Sequence, residues 1–345
     1  MHSKMRVVLG QFQTFDEEMA KFALQLGISE IQMNTPALPG EKIWTFEALK
    51  DLKERIESYG LKWTAIENVP LIFYDKVILG LPGRDEQIEN YCQTIRNMGK
   101  LGIPMLGHHF SPTFVWRTTT QAPGRGGARA TAFDERQLRP GDNAFREMMA
   151  RKRHLLDYDV FEAVDGMTAD DLFDNYRYFM DAVLPTAEKA GVMLALHPDD
   201  PPLRRFGGIQ RMVTSLEDYN RAMEIGNSPA WGVNLCLGCC SEKGGRDCAL
   251  EMIRYLGARK KILSVHFRDV QGTLPCFQEC FLGEGNYDPA EILYELGKVG
   301  YEGIIMEDHV LKMDYDSDYG HRARSHEIGY IQGMIQMMDF ACGEK

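Results

Sequence analysis

Eight short apolar runs, spaced along the chain with amphipathic stretches between them, limit what this polypeptide can fold into. They are Met5–Phe12, Glu30–Asn34, Trp63–Asn68, Met105–Phe110, Val192–His197, Trp231–Gly238, Ile262–Val270 and Gly303–Asp308. Each is nearly continuous in aliphatic and β-branched residues, the pattern of strands covered on both faces. Helical periodicity fills Thr14–Leu26, Thr45–Tyr59, Arg84–Leu101, Thr168–Ala190, Ser215–Gly226, Cys248–Leu256, Asp288–Val299 and Ser325–Phe340. Glycines follow many of these helices, as left-handed C-caps do. Repeated strand–helix units with right-handed crossovers imply a parallel sheet, and eight of them close as a single (β/α)8 barrel. An open doubly wound sheet would want a glycine fingerprint after the first strand, and Gln11-Phe-Gln-Thr-Phe has none. No composition break divides residues 1–345, so one domain is expected.

The fourth connection is long. Residues 111–167 carry Pro112, Pro123, Gly124, Gly126, Gly127, Pro140 and Gly141 and a helical piece near Phe145–Leu156. A loop of this length leaving the C-terminal end of a barrel strand predicts a lid over the active site.

His197, Cys236, His266 and Asp308 stand at the polar ends of four successive runs, 39, 30 and 42 residues apart. A single strand-end histidine is ordinarily a hydrogen-bonded core residue, and a single cysteine a small buried hydrophobe. Four coordinating side chains at four consecutive strand ends instead predict a divalent-metal site, open to Mn(II), Fe(II), Co(II) or Zn(II). Arg268, two residues beyond His266, points to the same side and is expected to clamp a substrate carboxylate. Asp199 and Asp200 either orient a ligand or cap a turn. Glu67, at the end of the third run, contacts a sugar hydroxyl or belongs to a polar cluster. The loop Pro123-Gly-Arg-Gly-Gly-Ala-Arg129 lacks the strand and Lys of a Walker sequence and is read as lid backbone, with Arg125 or Arg129 reaching an anion.

The net charge of −11 argues against nucleic acid as a partner, and no apolar run is long enough for a membrane helix. The first residues lack a signal-peptide core, so a cytoplasmic location is expected. Eight cysteines in such a chain are read as free thiols. A structural zinc knuckle with Cys276 and Cys280, three residues apart in a predicted loop, is not expected, because knuckle pairs sit on tight turns and Cys236 instead ends a strand.

Several segments, in order from the first fifth of the chain to the last, resemble the mannonate dehydratase family of xylose-isomerase-like barrels. They are Gly40-Glu-Lys-Ile-Trp44, Ile66-Glu-Asn-Val-Pro70, Arg84-Asp-Glu-Gln-Ile-Glu-Asn-Tyr91, His197-Pro-Asp-Asp-Pro-Pro202, Asn227-Ser-Pro229, Cys236-Leu-Gly238, His266-Phe-Arg268 and Glu307-Asp-His309. The resemblance implies a (β/α)8 barrel, a catalytic manganese and the loss of water from D-mannonate to give 2-keto-3-deoxy-D-gluconate. It also implies self-association into a homo-oligomer, and places the family's metal ligands on His197, Cys236, His266 and Asp308. Where the family has Tyr-Asn after the fourth strand, this chain has His108-His109. A family segment Asp-Trp-Thr-Arg-Thr reads Val115-Trp-Arg-Thr-Thr119, leaving Trp116 as a substrate contact. A catalytic tyrosine of the family falls near Ser325, with His321, His326 and Tyr330 nearby. Sugar-acid dehydration needs a base for the proton beside the carboxylate and an acid for the departing hydroxyl. His108, His109, His309 and the metal-bound water are the expected players, with Asp308 if it loosens from the metal. These departures leave a second reading, an isomerase, epimerase or eliminase on a related sugar or glycoside. A third is a sugar-binding barrel without chemistry.

Overall fold

The computed structural model describes residues 4–112, 115–139 and 156–341. Strands β1 (Arg6–Val8), β2 (Glu30–Met33), β3 (Lys62–Ile66), β4 (Met105–His108), β7 (Met193–Leu196), β10 (Trp231–Cys236), β11 (Ile262–Phe267) and β14 (Ile304–Glu307) form one sheet. All its pairings are parallel, in the order β1-β14-β11-β10-β7-β4-β3-β2. Beyond β1, a parallel bridge between Leu9 and Ile31 joins the two ends of that order. There the Leu9 N–H donates to Glu30 at 3.2 Å and Gln32 donates to Leu9 at 2.9 Å. The sheet therefore closes into the expected barrel.

Alternation along each strand divides two cores. Val8, Ala65, Met105, Ala195, Ile304 and Met306 point inward and pack together as a small cluster inside the barrel. Their neighbours Ile66, Leu106, Leu194, Leu196 and Ile305 point outward into the large core shared with the helices. Gly107 is required by the closeness of β3: a Cβ there would lie 2.2 Å from the Glu67 carbonyl oxygen. The helices begin on side-chain caps, Asp16, Thr45, Ser215 and Asp288 among them, and Thr168 and Asp171 form a reciprocal capping box.

Two departures from the sequence expectation matter for function. The helix predicted over Cys248–Leu256 instead runs over Leu237–Ala258 and is broken at Gly244 and Gly245. The long connection is not one undivided loop. Its described part holds a hairpin, β5 (Thr119–Pro123) and β6 (Arg129–Asp134). This hairpin pairs with a second one, β12 (Val270–Thr273) and β13 (Cys276–Glu279), in a four-stranded antiparallel sheet ordered β12-β13-β6-β5. Cys276 therefore opens a strand, and Cys280 follows it, where a loop had been expected. The register sets Phe133 against Phe277, and their stacked rings join Val270, Trp116 and Phe206 in a separate apolar cluster, Phe206 coming from a short hairpin of β8 (Arg205–Phe206) and β9 (Ile209–Gln210). The helical piece expected near Phe145–Leu156 lies, apart from Leu156, outside the described residues. Seven cysteines are free thiols among the described residues.

Candidate metal centre and active site

The C-terminal mouth of the barrel takes one side chain from each of five adjacent strands. Stepping by two from the inward-facing core residues reaches His109 beyond β4, His197 beyond β7, and Asp308 beyond β14. Cys236 ends β10, and His266 lies opposite it in register on β11. The coordinating atoms of His197, Cys236 and His266 lie within 4.8 Å of one another. Asp308 stands beside this trio, its Oδ2 3.6 Å from His266 Nδ1.

The donor set fits a cation. His197 Nδ1 lies 2.8 Å from the Pro198 carbonyl, which fixes the N–H there and leaves Nε2 with its lone pair. Nδ1 of His266 is buried without a hydrogen-bond partner. The other ring nitrogen sits 2.9 Å from the Asn234 amide, whose Oδ1 is also buried and unpartnered. An amide can present either end. With its oxygen turned to His266, Asn234 accepts the Nε2 proton and Nδ1 is free to coordinate beside Asp308. Burial pushes the Cys236 thiol up. Hydrogen bonding with Cys239, His197 and His266 and the Arg268 charge outweigh this and hold it well below the usual thiol value. That shift favours the thiolate, the form that binds metals.

Around the trio runs a buried polar shell. Gln11 Nε2 donates to Asp308 Oδ1 at 3.0 Å and to both oxygens of Glu67, at 3.2 and 3.1 Å. Gln32 also donates to Glu67, which lies 3.8 Å from His266. Glu67 therefore belongs to the polar cluster around His266.

Arg268 does not stand free to clamp a substrate. Its side chain is 2% exposed, and every nitrogen is taken. Nε donates to Asp308 at 3.0 Å, Nη1 to Glu242 at 2.7 Å and Glu279 at 3.2 Å, and Nη2 to Asp200 at 2.6 Å. It fixes the Asp308 carboxylate instead. Arg117, from the chain just before β5, enters the same cluster and pairs with Asp200, Glu242 at 2.9 Å and Glu279 at 2.7 Å. The two guanidinium groups thus share three carboxylates, one from the loop after β7, one from the Leu237–Ala258 helix and one from the end of β13. Burial, unrelieved by a partner at Oε2, pushes Glu242 well above the usual carboxylate range. Asp200 and Glu279 are held low by the two arginines against the effect of burial.

His309 is the histidine open to the mouth, with its side chain 26% exposed. Its backbone sits in the left-handed region at φ +48°. Nδ1 is 3.0 Å from Glu279 Oε1, and Nε2 is 3.8 Å from Asp308 Oδ2. Burial works against its protonated form, but the Asp308 and Glu279 carboxylates raise its pKa above the ordinary histidine value. A cavity of about 240 Å³, lined by Gln11, Asp308, His309, Lys312, Tyr319 and Arg324, opens beside it. On the other side of the trio, the His109 ring lies edge-on to His197 at 6.0 Å, with Nε2 3.6 Å from Asp199 Oδ1. Asp199 also accepts the Val213 N–H at 2.8 Å, so it holds His109 and the loop rather than facing the mouth.

Three predicted residues fall elsewhere. His108 is 1% exposed and points outward from β4. Its ring stacks on Tyr176 and meets Phe179 edge-on, and Nε2 lies 3.1 Å from the Tyr176 hydroxyl. Strand alternation puts His108 and His109 on opposite faces, and only His109 reaches the mouth. Trp116 packs on Phe206 within the hairpin cluster, ring centroids 6.0 Å apart. Arg125 lies at the β5–β6 turn, pairs with Glu284 at 2.7 Å and covers the Phe281 ring. Near Ser325, whose hydroxyl donates to the His321 carbonyl, His321 packs on Phe22 and His326 on Phe281.

A sequence model of the D-mannonate dehydratase (UxuA) family matches residues 16–343. The chain belongs to this family. It is 33% identical to the mannonate dehydratase of Enterococcus faecalis over 328 residues, covering 87% of each chain. The identity to that of Thermotoga maritima is 32% over 322 residues, 88% of each. The crystal structure of mannonate dehydratase from Streptococcus suis serotype 2 superposes with a TM-score of 0.87 at 30% identity, over 99% of this chain and 97% of that one. An L-ribulose 3-epimerase structure, TM-score 0.60 at 16% identity, shares the fold. As a member of the dehydratase family the chain is a hydro-lyase, and the mouth just described is where its barrel gathers chemistry. No helix among the described residues is long and apolar enough to cross a membrane.

Proposed function

We propose that the chain dehydrates D-mannonate to 2-keto-3-deoxy-D-gluconate and that His197, Cys236, His266 and Asp308 hold a divalent ion, Mn(II), for that reaction. The observation that carries the metal reading is the convergence of two imidazoles and a cysteine sulfur within 4.8 Å, with the Asp308 carboxylate beside them. When bound, such a cation stabilises the negative charge that develops on the substrate's carboxylate and adjacent oxygen.

The protein's own groups supply the proton traffic. A proton must leave the carbon beside the carboxylate, and the hydroxyl on the next carbon must leave as water. The resulting enol then tautomerises to the 2-keto acid. These steps call for two proton-transferring groups. His309 stands on the β14 side of the trio and His109 on the β4 side. Glu279 fixes the Nδ1 proton of His309, so Nε2 is the atom that exchanges protons at the mouth. Arg268 and Gln11 keep Asp308 from turning away. By analogy with the family, the protein acts as a homo-oligomer in the cytoplasm.

The test is direct. The purified chain loaded with manganese is expected to turn D-mannonate into a product that periodate–thiobarbiturate and mass spectrometry identify as the 2-keto-3-deoxy acid. Fully metal-loaded protein that turns over no aldonate would end this reading.

A further inference from the structure

Cys236 is one of four cysteines gathered on a single stretch, with Cys239, Cys240 and Cys248, and the proposed reaction uses only the first. In an unbroken helix, residues eight apart lie about 12 Å apart along the axis. Here the helix breaks between them. Gly244 has φ −160° and ψ 23°, and Gly245 has φ +63° and ψ −146°, neither of them helical. The turn folds Cys248 back, so that its Cβ sits 3.1 Å from where a Cβ on Gly244 would be. That brings the thiols of Cys240 and Cys248 close enough to act on each other directly. Both line a cavity of about 230 Å³ with Thr214, Tyr219 and Lys243. Cys240 is 6% exposed, whereas Cys248 is half-buried and the more accessible of the two.

We propose that Cys240 and Cys248 are an oxidisable dithiol, closed by a peroxide to a disulfide across the Gly244–Gly245 break. The Cys248 sulfur attacks one peroxide oxygen, the O–O bond breaks, and Cys248 becomes a sulfenic acid with release of water. The Cys240 sulfur then attacks the Cys248 sulfur, the S–O bond breaks, and a second water leaves as the S–S bond forms. Two thiols are oxidised and one peroxide is reduced to two waters. The neighbouring Cys240 thiol also holds the Cys248 thiol below its ordinary value, which favours Cys248 as the first nucleophile. Cys239 has other partners, Cys236 and Arg268, and takes no part.

Peptide mapping tests the proposal. Lys243 and Arg246 lie between the two cysteines, so trypsin separates them and a cross-link joins two peptides. The full chain is treated with hydrogen peroxide, its remaining thiols are alkylated, and it is digested without reduction. The expected product is a linked pair two hydrogens lighter than the sum, with fragment ions placing the bridge at Cys240 and Cys248 and dithiothreitol abolishing it. Cys248→Ser, at a half-buried position, is expected to lose the link and leave Cys240 alkylatable, with unchanged circular dichroism. Two results overturn the proposal: a bridge from Cys248 to Cys236 or Cys239, or conversion of Cys248 to sulfinic acid with no bridge.

Discussion

Glu279 Oε1 and His309 Nδ1 are 3.0 Å apart, although 30 residues separate them and each comes from a different part of the barrel mouth. Arg117 and Arg268 keep Glu279 ionised, so it accepts the Nδ1 proton and turns Nε2 of His309 toward Asp308. Replacing Glu279 by Gln keeps the shape and a hydrogen-bonding group but removes the charge. We expect kcat on D-mannonate to fall about 10- to 100-fold with KM nearly unchanged, the size seen when an orienting partner is lost. His309→Asn should cost more, and adding Glu279→Gln to it should cost little further, because both act through one imidazole. Steady-state kinetics of the three variants decides this.

Cys236→Ser replaces the soft donor of the trio with a hydroxyl that stays protonated at neutral pH. The variant is expected to fold, since the side chain is small and the barrel core is untouched. It should bind manganese at least about tenfold more weakly, as metal analysis after equilibrium dialysis will read. Chelation of the unmodified protein should lower its melting temperature and activity together, and added Mn(II) should restore both. A melting temperature indifferent to chelator would contradict the assignment of these ligands.

Arg117 pairs with three buried carboxylates and ties the β5–β6 hairpin to the barrel. Arg117→Met leaves those charges with Arg268 alone. Loss of one partner from a buried ion cluster costs about 3–5 kcal/mol. Urea unfolding should show that loss, and limited proteolysis should cut the hairpin region faster than in the parent protein.

His108 offers a pH test. Burial pushes its imidazole down to about 3, while in the unfolded chain it titrates near about 6.5. Between these values the unfolded chain binds the extra proton. Stability from this residue is therefore complete above about pH 6.5 and is lost progressively as the pH falls toward 3. His108→Asn, which retains an acceptor for Tyr176, should flatten the dependence of unfolding free energy on pH across that window. At neutral pH its activity should stay near that of the parent, because the ring faces Tyr176 and Phe179 and not the mouth. A drop in kcat without a stability change would return His108 to the chemistry.

Strand ends were legible because a barrel strand buried on both faces is mostly apolar along the wall, so a coordinating side chain at the end of such a run marks the mouth. That is why His197, Cys236, His266 and Asp308 could be picked from a linear string and lie together in space. The two-residue period, applied strictly, also separates His109 from His108 and points to Asn234 two residues before Cys236. Arg268 illustrates the limit: its direction was legible, but its partners were not. Asp200, Glu242, Glu279 and Arg117 belong to four distant segments, and none carries a local pattern that marks it as buried. Their pairing depends on how loops stack once the barrel has closed. The hairpin sheet was hidden for the same reason, since Thr119–Pro123 is polar and becomes a strand only by pairing with Arg129–Asp134. Local periodicity thus determined the barrel and the address of its coordinating side chains. Only the closed fold decided which charges meet, because a buried ion is tolerable only where another chain segment brings its counter-charge.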